Sequence, residues 1–161
     1  MASWADLKEL RLKTCDPDGY IDLDTVANVA ALPVAPKGQT AYRKEDSGDY
    51  VAYDAELLAW GPVKLEVSDA RAMAMVDAYG SASRAAPYMV RQIMAGLGAK
   101  MRIARSQGGA GSTDFVNLTT LYNFYKGIIE TFEVEAAVEE GASEGRYLRT
   151  KRPSIGGGMI G

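Results

Sequence analysis

The sequence predicts a mainly α protein: a helical bundle built on a long antiparallel αα-hairpin, with a small β-hairpin insertion and an extended C-terminal arm. Three observations predict it. Two long segments, 83–105 and 114–140, carry apolar residues at helical spacing. The Gly-rich stretch that joins them, Gln107 to Ser112, is short, so the two helices should pack side by side and antiparallel. At Arg146 an acidic, helix-prone segment gives way to cations, a proline and a triple glycine. The chain has 161 residues, 47% of them hydrophobic and 24% charged. Those values fit one globular domain over 1–145 followed by an arm over 146–161. A folded chain of this size buries about 70% of the surface its unfolded form exposes.

Each element has a local reason. Residues 4–13 read as a short helix with Ser3 as N-cap, and Leu7 and Leu10 share a face. Residues 14–22 form a polar Asp/Pro/Gly turn. Residues 22–32 are expected as a second helix or turn, with Val26, Val29 and Ala30 at helical spacing. Pro33-Val-Ala-Pro-Lys-Gly38 breaks it. Thr40 to Lys44 and Tyr50 to Tyr53 are β-prone around a turn at 45–49, which gives the hairpin insertion at 38–53. Residues 54–67 contain Leu57, Leu58, Trp60, Val63, Leu65 and Val67, divided by Gly61-Pro62, and fix no state.

The second half is periodic. Ser68 caps a helix that opens with Asp69, whose charge suits the N-terminal end of the dipole, and that stops at Gly80. The helix 83–105 places Val90, Ile93, Met94, Leu97, Met101 and Ala104 on one face. Pro87 is tolerable only near its first turn. Gly96 and Gly98 weaken its middle by about 1 kcal/mol each against alanine, which fits either a close helix crossing or a bend. Thr113 or Ser112 then caps a helix from Asp114 to about Glu140. Its apolar face is Leu118, Leu121, Tyr122, Tyr125, Ile128, Ile129 and Phe132.

Composition excludes several function classes. A net charge of −3 gives no global case for nucleic-acid or membrane binding. No apolar run approaches the ~20 residues of a membrane span. The N-terminus lacks the basic and apolar regions of a signal peptide, so the expectation is a protein made in a cytoplasm. Cys15 is the single cysteine, so no internal disulfide forms. Its acidic surroundings should raise its pKa and blunt its nucleophilicity. Histidine is absent, which removes the commonest general base and metal ligand. No catalytic residue and no cofactor is expected.

Few motifs carry chemistry. Asp16-Pro-Asp-Gly-Tyr-Ile-Asp22 resembles the middle of an EF-hand loop, with Asp16, Asp18 and Asp22 at its third, fifth and ninth positions. Thr14 and Thr25 replace the first and twelfth ligands, so an Asp/Gly turn is the plainer reading. Gly108 to Thr113 lacks the lysine of a phosphate-binding loop and reads as a hinge. The segment 84–105 carries Arg84, Arg91, Lys100, Arg102 and Arg105 without an acid. The segment 130–144 carries six glutamates without a base. They are either solvated faces or complementary rims, within the hairpin or between neighbouring copies. Arg91, Lys100, Arg102 and Arg105 are therefore candidates for inter-subunit contact or for lining a DNA channel.

The last sixteen residues cannot build a core of their own. Arg146, Tyr147, Arg149, Lys151 and Arg152 precede Ile155, Met159 and Ile160. The cations could meet phosphates, an acidic neighbour or only water. Their combination with a Gly-rich apolar end favours docking on another protein by strand addition or groove binding.

The order of parts over residues 54–161 comprises Ser68-Asp-Ala-Arg to Ala78-Tyr-Gly80, Ala99-Lys-Met-Arg-Ile-Ala-Arg105, a Gly-rich loop, Asp114-Phe-Val-Asn-Leu118 and Pro153-Ser-Ile-Gly-Gly-Gly158. It resembles the head–tail connector (adaptor) proteins of tailed bacteriophages. The resemblance implies a homo-oligomeric ring, commonly twelvefold, in the virion neck. Its partners would be the portal protein and the next neck or tail protein, with genomic DNA passing through without sequence-specific binding. Arg146–Gly161 would be the arm that reaches neighbours, and 33–60 a family-specific loop. The alternatives are another neck or tail protein (head-completion or tail-terminator) and a calcium-responsive binding domain on residues 14–25.

Overall fold

Ser3 starts the first helix, α1 (Trp4–Thr14), with a capping box: its hydroxyl accepts from the Asp6 amide, and the Asp6 carboxylate accepts from the Ser3 amide. The Ser3 hydrogen bonds hold the Asp6 carboxyl below the usual carboxylate range. The helix ends at Cys15 in the left-handed conformation. This computed structural model describes residues 1–32 and 39–150, and the side chains of the last helix as far as Val138. The chain is mainly helical, with four α-helices and one small four-stranded sheet among the described residues.

The sheet is larger than the expected hairpin insertion. Its strands are β1 (Asp22–Val26), β2 (Thr40–Lys44), β3 (Tyr50–Asp54) and β4 (Ala59–Pro62), in spatial order β1-β2-β3-β4. β2 and β3 form the antiparallel hairpin and β4 pairs antiparallel with β3. β1 lies parallel to β2, with Leu23 opposite Ala41. This corrects the helix expected over 22–32. The residues form a strand and then a single 3₁₀ turn, Val29–Ala31. The helical spacing of Val26, Val29 and Ala30 was incidental: Leu23, alternating with exposed aspartates, is the buried residue that sets the register. The expected break at 33–38 lies outside the described residues.

Leu23, Ala41 and Tyr50 make a small core under α1, closed by Trp4, Leu12, Val63 and Leu65. On the sheet's other face Trp60 packs edge-on against Tyr42 and Tyr53.

The main core is helical. α2 (Asp69–Tyr79) ends at Gly80, whose φ of 81° is the left-handed stop that favours glycine. Ser68 precedes it in extended backbone but makes no side-chain cap. α3 (Ala82–Gly108) is capped by the Ser81 hydroxyl on the Arg84 amide. It starts early enough to put Pro87 in its second turn, which leaves the Ser83 carbonyl without its helical donor. Leu7 and Leu10 of α1, Ala72 and Val76 of α2 and Met89, Ile93 and Leu97 of α3 pack into one buried cluster.

α4 (Thr113–Thr150) follows the loop 109–112 and closes that cluster with Tyr125 and Ile129. It runs beyond the Glu140 end expected for it and includes the backbone of residues 146–150. The stretch from Glu133 to Glu140 consists of good helix formers and valines, so Gly141 and Gly145 are too small a penalty to end the helix there. Residues 151–161 lie outside the described residues.

Two charged side chains, Arg11 and Asp16, sit inside this architecture among the described residues. Arg11 is fully buried and joins both cores. Its Nη1 donates to Asp16 Oδ2 at 2.9 Å and its Nη2 to the Val67 carbonyl at 2.9 Å. Its Nε donates to Asp69 Oδ1 at 3.1 Å and to Tyr50 Oη at 3.2 Å. Asp69 also accepts from Arg43 Nε and Tyr50 Oη. Burial works against the Arg11 charge, but Tyr50, Asp69 and Asp16 outweigh it and hold its pKa above the ordinary value.

Candidate assembly surface on the helical hairpin

Contacts between α3 and α4 run in opposite directions along the two helices. Arg91 faces Glu133, Arg102 and Gly98 share a groove with Tyr122, and Gly108 meets Ser112. The seven residues expected on the inner face of α4 all lie in or against the main core. That leaves the opposite face.

Val116, Thr120, Phe124, Gly127, Thr131, Val134 and Val138 are spaced by three or four, so they form one stripe about 80° wide. All seven are exposed and none is charged. Val116, Phe124, Val134 and Val138 keep 50%, 43%, 63% and 66% of their surface in solvent. Isolated exposed apolar residues need no explanation, but a continuous uncharged stripe makes this face a candidate contact surface.

α3 carries a different stripe. Arg84, Tyr88, Arg91, Ala95, Ala99, Arg102 and Ser106 have the same spacing and are all exposed. Tyr79 of α2 stacks on Tyr88 at 3.9 Å, and the Arg91 guanidinium lies over that ring, 5.9 Å from its centroid. Between α3 and α4 lies an open groove of about 450 Å³, with Met94, Gly98 and Tyr122 as its floor and Arg91 and Arg102 on its rim. Arg105, Met101 and Phe115 continue it toward the loop.

The four candidate cations therefore separate. Arg91 pairs with Glu133 at 3.4 Å, both more than half exposed, a contact worth about 0–1 kcal/mol. Arg102 and Arg105 face the groove and have no carboxylate partner among the described residues. Lys100 points to the other side of α3 and pairs with Glu66 at 2.6 Å. It ties α3 to the segment before α2 and does not join the others.

The Asp-rich turn does not gather its carboxylates. Asp16 is buried and accepts from Arg11 and from the Glu66 and Val67 amides. Burial pushes its carboxyl above the usual range, against the pull of those two amides and Arg11. Asp18 is exposed, and Asp22 pairs with Lys8 on the surface. Among the described residues no group of three or more acidic or cysteine ligands could hold a metal. The resemblance to an EF-hand loop thus reflects a turn whose first aspartate is used inside the protein.

The Gly-rich loop is a hinge with a cap. Ser112 Oγ accepts from the Phe115 amide, so a side chain serves the N-terminus of α4. A side chain at Gly96 or Gly98 would meet nothing within 4 Å, which argues against the close helix crossing that was one of the two readings of these glycines. Cys15 is half-buried, and burial first, then Asp18, pushes its thiol upward. Of the tail residues, Arg146, Tyr147 and Arg149 lie on the backbone of α4. Lys151, Arg152, Ile155, Met159 and Ile160 lie outside the described residues.

Sequence reasoning missed Arg11, although the signal was present. Leu7, Leu10, Arg11 and Thr14 follow helical core spacing, so an arginine in that stripe called for buried carboxylates. It also missed the outward stripe of α4, because only the inner face was read.

No helix among the described residues is long and apolar enough to cross a membrane. No protein-family model, no curated protein and no solved structure matches this chain.

Proposed function

We propose that this chain is a non-enzymatic assembly subunit: one copy in an oligomeric ring that joins the portal to the tail of a tailed bacteriophage. The observation that carries the assembly reading is the exposed, uncharged stripe of α4, Val116 to Val138. A surface of this kind is stable in water only at some cost and gains by being covered. The place in a virion neck rests on the resemblance in the order of parts. In this reading the antiparallel hairpin of α3 and α4 is the ring-building frame. The cations and apolar residues from Arg146 to Ile160 form an arm that docks on neighbours, and genomic DNA passes through the ring.

The test is the mass of the purified protein in solution, alone and mixed with a tailed-phage portal. The full chain should bind the portal as a ring. A chain lacking residues 151–161, which keeps all of α4, should stay folded and bind the portal less well. A truncated chain that binds as the full chain does would remove the arm. A full chain that ignores the portal would remove the adaptor reading.

A further inference from the structure

We infer that the groove between α3 and α4 of one chain receives an acidic amphipathic helix of a partner protein. The groove lies on a different face from the exposed stripe of α4, and the inference stands without the adaptor reading. Charge, floor and shape each point to that occupant.

The charge is basic and unanswered. Arg102 and Arg105 line the groove and have no carboxylate partner among the described residues, and the residues that line it include no acid. One helical turn separates the two arginines, so they match two carboxylates one turn apart on a helix lying alongside. Arg91 marks the far end, where Glu133 already pairs with it at 3.4 Å. The acids of the partner therefore belong at the end near the loop 109–112. Rim charges of this kind fix register and partner choice.

The floor is apolar. Met94 and Met101 of α3 and Phe115 and Tyr122 of α4 line it, all half-buried. Two rings and two thioethers suit aliphatic side chains, and methionine adapts to their shape. Single-stranded nucleic acid fits less well: its affinity comes from many phosphate contacts, and two free cations one turn apart offer few. At the centre, a side chain at Gly98 would meet nothing within 4 Å, so a partner helix can approach the α3 backbone closely there. From Arg91 to Arg105 the groove runs about 21 Å, the length of about fourteen helical residues. A helix laid in such a groove engages it through one apolar face and keeps its charges at the rim.

The experiment is fluorescence anisotropy of the full chain with three labelled probes. The first is an amphipathic peptide of that length, with leucines along one face and glutamates along the other. The second carries lysine in place of each glutamate. The third is a single-stranded oligothymidylate. The acidic peptide should bind saturably, and about tenfold or more tighter than either of the others. Arg102→Glu with Arg105→Glu should weaken it by about tenfold or more, since two ion pairs become repulsive. Gly98→Leu should abolish binding by filling the groove. It should melt no lower than the parent, because leucine is the better helix former. Arg84→Glu makes the same kind of charge change about 27 Å along α3 from Arg102, beyond the screening length at physiological salt, and should leave the affinity within about twofold.

An acidic peptide that fails to bind, that binds no tighter than the lysine peptide, or that is indifferent to Gly98→Leu overturns the inference. So does an equal loss of affinity in Arg84→Glu. Tighter binding of the oligothymidylate overturns it in favour of nucleic acid. Binding to the portal is decided separately by the mixing experiment, so the groove can fail while the assembly reading stands.

Discussion

The N-terminal half and the helical hairpin treat their surfaces in opposite ways. Around Arg11, the protein buries an arginine and meets its donors with two aspartates, a carbonyl and a tyrosine hydroxyl. Charge there is turned inward and consumed. On α3, Arg102 and Arg105 stay outside without a carboxylate among the described residues, and valines and a phenylalanine of α4 stay in solvent. The first region is complete within one chain, and the second leaves unmet charge and apolar surface side by side. In the proposed reading, a self-sufficient region and an unsatisfied one in the same small protein divide its labour: one holds the fold and the other would meet a partner.

The sharpest way to break this comparison is at Arg11. Arg11→Ala removes the only cation among the described residues that reaches Asp16 and leaves that carboxylate buried among amides and apolar groups. Breaking one side of a buried pair typically costs about 3–5 kcal/mol. Denaturant unfolding should show a loss of that size, with a large drop in melting temperature. Arg102→Ala on the hairpin should change stability by less than about 0.5 kcal/mol. Equal losses at the two positions would mean that Arg102 also serves the fold.

The same contrast explains what could be read from the sequence. The helices α2, α3 and α4 and the strands β2 and β3 were legible because their signals are local: caps, breakers, a 3.6 period and a turn between β-prone runs. β1 was not, since its pairing partner is β2 across residues 27–39 and only Leu23 carries its inward face. Arg11 satisfies its donors with residues 5, 39, 56 and 58 positions away. Spacing along a chain does not encode such distances. The cations of α3 were visible as a set, but the separation of Lys100 from Arg102 depends on where Glu66 lands in three dimensions.

A smaller effect sharpens the hairpin side. Gly96 is exposed in the middle of α3, and a side chain there meets nothing within 4 Å. Gly96→Ala should therefore stabilise the protein, by about 1 kcal/mol, through the better helix propensity of alanine alone. A shift in urea midpoint at constant slope would measure it. A destabilised Gly96→Ala would mean that another chain packs against this position in the sample, because the described structure leaves the space empty.

The smallest expected effect is at Cys15, which lies where the two regions touch: its carbonyl accepts from Tyr125 Oη of α4 at 2.9 Å. Burial and Asp18 raise the thiol, so at a given pH a smaller fraction is thiolate in the folded protein than in the unfolded chain. Alkylation by iodoacetamide near pH 8 should be slower in buffer than in denaturant, and the folded rate should climb at higher pH than the unfolded rate. The sign for stability follows. A raised folded pKa contributes stability that is present below the unfolded pKa and fades as pH rises through the folded one. Tyr125 holds the same junction, and burial raises its hydroxyl too, so it stays a donor across this range. Tyr125→Phe removes that donor to Cys15 and should bring the folded alkylation rate closer to the unfolded one. An unchanged rate in Tyr125→Phe would show that α1 protects the thiol without help from the hairpin.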